Sequence, residues 1–105
     1  MLTIKPGVRL HGIQPELVIA AMVADGIFGL KNRTCTITGC IDGRHSRGSF
    51  HYLGLAIDLR TRDLPAGEPD EIVNMLKSAL GEDFDVVMEA DHIHIEFQPK
   101  EAYTP

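Results

Sequence analysis

Apolar residues at Leu53, Leu55, Ile57 and Leu59 alternate with Gly54, Ala56, Asp58 and Arg60, which is the period-two pattern of a strand with one face turned inward. Two shorter runs, Phe84–Met88 and His92–Phe97, flank the polar stretch Glu89-Ala90-Asp91 and predict a hairpin. Residues 34–38 alternate β-branched with small side chains and predict a further strand, followed by a loop rich in glycine and charge over 39–48. Pro15 suits the first turn of a helix, and Leu17, Val18, Ala21 and Val23 supply its apolar face before Gly26 and Gly29 mark an exit. That places a first helix at 15–26. A second is expected at 69–80, because Pro69, Asp70 and Glu71 complement a helix N-terminus and Gly81 can cap its end. The expected fold class is α+β: a small antiparallel sheet with two main helices packed on one side.

The length of 105 residues suits a single domain spanning 1–105, and 44% hydrophobic with 24% charged residues is an ordinary globular balance. A net charge of -5, without a basic run, argues against nucleic acid as partner. No apolar run is long enough to cross a membrane, and MLTIKPGVRLHG lacks the apolar core of a secretory signal. A monomer made in the cytosol is therefore expected. Cys35 and Cys40 stand five apart on strand-like sequence, which points them to opposite faces and away from a mutual disulfide.

The chemistry concentrates in two segments. SFHYLGLAID carries His51 and Asp58, and the second hairpin strand carries His92-Ile93-His94, whose alternation sends both imidazoles to one face while Ile93 and Ile95 enter the core. Two histidines and an aspartate can fill three corners of a zinc tetrahedron, leaving the fourth for water or substrate, as in hydrolytic zinc sites. His51 and Asp58 are an odd number apart, so a regular strand cannot aim both at one ion. The chain must turn or bulge over 52–54, which Gly54 permits. Isolated His11 and His45 are read as structural.

Ser49, His51, Gly54, Ala56 and Asp58 match the S-x-H-x-x-G-x-A-x-D pattern of D-alanyl-D-alanine carboxypeptidase-type metallopeptidases, and His92-Ile93-His94 matches their H-x-H. The resemblance covers residues 39–97. The stretch DGRHSRGSFHYLGLAIDLRTRD also resembles the zinc segment of the hedgehog signalling domain, which shares that fold. The resemblance implies a bound Zn2+ held by His51, Asp58 and His94. It also implies Ser49 beside the metal in the substrate-binding region and an arginine, Arg44 before Arg47, as a fork for a substrate carboxylate. Glu89 and His92 also satisfy an E-x-x-H register in which His92 would be the ligand; the preferred register keeps His94 on the metal.

The implied activity is hydrolysis of amide bonds in peptidoglycan stem peptides, next to a D-amino acid. Glu89 is the first choice and His92 the second for the group that takes a proton from water and returns it to the leaving amine. A phage or prophage product acting at the bacterial cell wall or within a virion would suit this. The alternative is a catalytically silent module, binding or virion-structural, that keeps zinc only for stability.

Overall fold

The computed structural model describes residues 1–41, 51 and 53–99. In chain order the elements are β1 (Leu2–Ile4), α1 (Pro15–Leu30), β2 (Cys35–Gly39), β3 (Ala56–Arg60), α2 (Glu68–Leu80), β4 (Phe84–Met88) and β5 (His92–Phe97). The strands form one sheet in the order β1-β2-β3-β5-β4. The sheet is α+β as expected but mixed, because β1 lies parallel to β2 while the other pairs are antiparallel. A three-residue strand carries too little periodicity to be seen in sequence, and its partner is some thirty residues away. Its side-chain anchor is the bond between the Thr3 and Thr36 hydroxyls, 2.6 Å.

Alternation then sorts the sheet into two faces. Ile37, Ile57, Leu59, Val86, Ile93 and Ile95 point one way and are almost wholly buried against Leu17, Ala20, Ala24 and Phe28 of α1 and Ile72 and Leu76 of α2. Asp58 stands directly opposite His94, and Arg60 opposite His92, so these four share the other face. Both helices thus occupy the apolar face and leave the polar face for chemistry.

Helix α1 does not stop at 26 but runs through Gly26 and Gly29 to Leu30. Each glycine costs roughly 1 kcal/mol in a helix interior. Burying Ile27 and Phe28 returns about 1.5–3 kcal/mol apiece, so extension wins. The stop is Asn32, in the left-handed region at φ 57°. There the Asn32 amide donates to Gly29 and the Arg33 amide to Phe28, the paired bonds of a Schellman ending. The inward face also differs from expectation: Leu17 and Ala21 are buried, but Val18 is 44% exposed and Ala20, Ala24, Ile27 and Phe28 do most of the packing. Arg33 forks onto Glu68 at 2.9 and 3.2 Å and Lys31 pairs with Glu71, which ties the exit of α1 to the first turn of α2.

The strand expected over 53–60 is regular only from Ala56, and Leu53 is solvent-facing in the turn before it. Cys35 and Cys40 are fully buried and not joined in a disulfide, and burial pushes the Cys35 thiol up to about 12. Among the described residues, no helix is long and apolar enough to cross a membrane.

Candidate metal centre

Three segments deliver the site. Asp58 comes from the middle of β3 and His94 from the facing position of β5. His51 arrives from a tight turn in which the Gly54 amide donates to the His51 carbonyl at 3.0 Å. Gly54 has φ +71°, a conformation that suits glycine. The turn is clamped from outside, because the Gln14 amide donates to the Gly54 carbonyl at 2.9 Å and a Cβ on Gly54 would lie 2.1 Å from the Gly12 carbonyl oxygen. The irregularity demanded by the odd spacing of His51 and Asp58 is therefore a turn, held by the segment before α1.

One oxygen, Asp58 Oδ1, is the hub. His94 Nδ1 lies 3.0 Å from it, His51 Nε2 3.2 Å and His92 Nε2 3.5 Å. The His51 and His94 rings are 5.0 Å apart. On the far side of His51, Nδ1 donates to the Cys40 carbonyl at 2.7 Å, which fixes the ring with Nε2 toward Asp58. On the far side of His94, Nε2 meets Glu96 Oε1 at 2.8 Å. Asp58 has space only because Gly39 stands opposite it on β2: a Cβ there would lie 2.7 Å from Asp58 Oδ2.

Burial opposes ionisation of Asp58, but hydrogen bonds from His51 and His94 outweigh it and hold its carboxyl below the ordinary carboxylate range. The bond to Asp58 raises His94 to about 9 against the effect of burial, and Glu96 adds to the rise. Both ring nitrogens of His94 face carboxylate oxygens, so the cluster is built around a positive charge, whether proton or metal.

The donor set suits a metal. At zinc distances of about 2.0–2.1 Å, two ligand atoms of a tetrahedron stand roughly 3.3 Å apart. The 3.2 and 3.0 Å separations from Asp58 Oδ1 are close to that edge. Each histidine also carries on its other nitrogen the carbonyl or carboxylate partner that orients metal-bound imidazoles. His51, Asp58 and His94 offer three donor atoms within 4.8 Å of one another, so these residues could hold a metal ion.

Glu89, His92 and His94 form a second such group sharing His94, so Glu89 and His92 are brought to the same centre. Glu89 is exposed at the hairpin turn, where its amide donates to the His92 carbonyl at 2.8 Å. His92 Nδ1 meets Asp91 at 2.7 Å. Arg44 and Ser49, with Arg47 and His45, lie outside the described residues. His11 is exposed in the turn preceding α1 and belongs to neither group.

Sequence reasoning did not single out Glu96, the Cys40 carbonyl or Gly39. Glu96 had a signal, since it continues the same-face series from His92 and His94. The other two become visible only once β2 is laid against β3. The chain matches no protein-family model, no curated protein and no solved structure.

Proposed function

We propose that this chain is a zinc-dependent peptidase that hydrolyses amide bonds in peptidoglycan stem peptides, next to a D-amino acid. The supporting observation is the convergence of His51 Nε2, Asp58 Oδ1 and His94 Nδ1 on one point of the polar sheet face, with Glu89 and His92 beside it. His51, Asp58 and His94 would hold the zinc, which when bound lowers the pKa of water toward neutrality and polarises a carbonyl. The protein orients these donors through the Cys40 carbonyl and Glu96. Glu89, exposed and so within reach of substrate, takes the proton of the attacking water and delivers it to the leaving amine. His92 is the second candidate for that proton: Asp91 accepts from its Nδ1 and turns Nε2 inward toward Asp58.

The test is a digest of purified muropeptides by zinc-loaded protein, read by mass spectrometry. Release of D-alanine or a dipeptide is expected. Glu89→Gln should keep its zinc and lose about 10²–10⁴-fold in turnover. If zinc-loaded protein releases nothing while an active relative does so in the same assay, the enzyme reading fails and the silent zinc module takes its place.

Glu96 provides a separate check on the metal. Glu96→Gln retains a hydrogen-bonding side chain for His94 but removes the charge, and zinc affinity should fall about 10–100-fold, measured by competition with a chelator. An affinity equal to wild type would mean that Glu96 does not act through His94.

A further inference from the structure

A cleft of about 440 Å³ opens beside the metal-ligating cluster and is shared with it through Asp58 and His92. Its volume falls in the range of small-molecule sites. Its charged lining is otherwise Lys5, Arg60, Arg62 and Asp91. In a chain of 15 acidic and 10 basic residues, three of the ten cations gather here.

The acids of the cleft are already engaged. Asp58 is held by His51 and His94, and Asp91 by His92. The cations are not matched in this way. Lys5 and Arg60 form no ion pair among the described residues, and the nearest acid to Arg62 is its exposed neighbour Asp63, at 4.0 Å. The cleft thus sets three cations against the two carboxylates Asp58 and Asp91, both of which face histidines, and Lys5 and Arg60 are left to meet an incoming anion.

Its position defines what that anion belongs to. Arg60 follows Asp58 by two residues on the same strand face, opposite His92. Two strand residues span about 6.6–6.8 Å. An extended substrate whose amide lies at the Asp58–His94 centre covers that distance in two residues or fewer.

We propose that Arg60, supported by Lys5, forms a carboxylate-binding subsite that selects substrates with a carboxylate one or two residues from the scissile amide. This rests on the peptidase reading, and it concerns a different part of the chain from the loop arginines. The guanidinium fork accepts a carboxylate in two parallel hydrogen bonds, and the ammonium of Lys5 adds charge without geometry. The carboxylate is either the substrate's terminal one or that of an adjacent acidic side chain.

Three N-acetyl dipeptides separate these sources: one with a free terminal carboxylate, one amidated and neutral, and one amidated with a side-chain carboxylate. Their dissociation constants are measured by calorimetry on the zinc-loaded full chain, on Arg60→Gln and on Lys5→Gln, with zinc content determined for each. One carboxylate probe should bind about tenfold or more tighter than the neutral amide. The advantage should shrink to about threefold or less in Arg60→Gln and fall partway in Lys5→Gln, whose exposed position leaves folding unaffected. Equal binding of neutral and charged probes to wild type overturns the subsite. So does an advantage that survives in both variants, because the carboxylate would then be recognised by the metal. Carboxylate preference without hydrolysis of any stem peptide leaves the subsite standing and sinks the peptidase reading, whereas hydrolysis without preference sinks the subsite alone.

Discussion

Asp58→Ala should lower zinc affinity by more than about a hundredfold, since even residues that only orient a metal ligand are worth 10–100-fold and Asp58 supplies the oxygen on which all three imidazoles converge. The same substitution should cost the metal-free protein about 2 kcal/mol, the scale of a buried hydrogen bond to a charged group. Both side chains of the Asp58–His94 pair are only 13% exposed. The pH behaviour separates this pair from generic packing. His94 is raised to about 9 in the folded protein, so its contribution is complete below its unfolded value near 6.5 and disappears as pH rises through about 9. Asp58 is lowered, so its contribution is present above about 3.9 and lost on further acidification. Metal-free wild type should therefore lose stability on both sides of a window from about 4 to 6.5, and Asp58→Ala should flatten that profile in urea titrations. On the proposed ligand set, zinc displaces the His94 proton, so affinity should climb about tenfold per pH unit from roughly 7 to 9. A wild-type affinity independent of pH over that interval would place the metal away from His94.

What could be read in advance and what could not divides along the range of the interactions. The hairpin of β4 and β5 was legible residue for residue, because Phe84–Met88 and His92–Phe97 carry their alternation locally and the turn between them is polar. The same alternation placed His92 and His94 on one face, and would have placed Glu96 with them. The parallel strand β1 was not legible, since Leu2, Thr3 and Ile4 are too few to show a period and pair with residues 35–37. The end of α1 is not legible, because Gly26 and Gly29 read locally as stops while the burial of Ile27 and Phe28, which decides the matter, depends on α2 and the sheet. Gly54 was legible as a necessity, from the odd spacing of His51 and Asp58. Its neighbour in space, Gly12, was not, because nothing in the sequence tells that the segment before α1 lies against that turn.

That contact makes Gly54→Ala the most damaging added methyl among the described glycines. A non-glycine residue at φ +71° costs about 1–2 kcal/mol in the left-handed region. The new Cβ would also approach the Gly12 carbonyl oxygen to 2.1 Å, the Gly12 carbonyl carbon to 3.0 Å and Ile13 Cα to 3.2 Å. All three are backbone atoms and cannot rotate aside, so relief requires separating the turn from the residues that lead into α1. Separation breaks the bond from the Gln14 amide to the Gly54 carbonyl and loosens the first turn of α1, whose Leu17 is fully buried. Overpacking of this kind adds about 1–3 kcal/mol, so the expected total is about 2–5 kcal/mol. In a domain of this size that lowers Tm by more than about 10 °C, with His51 carried away from Asp58 and zinc affinity falling alongside. Gly39→Ala is the informative comparison. Its Cβ would meet Asp58 Oδ2 at 2.7 Å, a side-chain atom that can turn, so zinc affinity should drop while Tm changes much less. Thermal melts with and without zinc distinguish the two: if Gly54→Ala melts within about 2 °C of wild type in the absence of metal, Gly54 is not held against Gly12 and the clamp on His51 lies elsewhere.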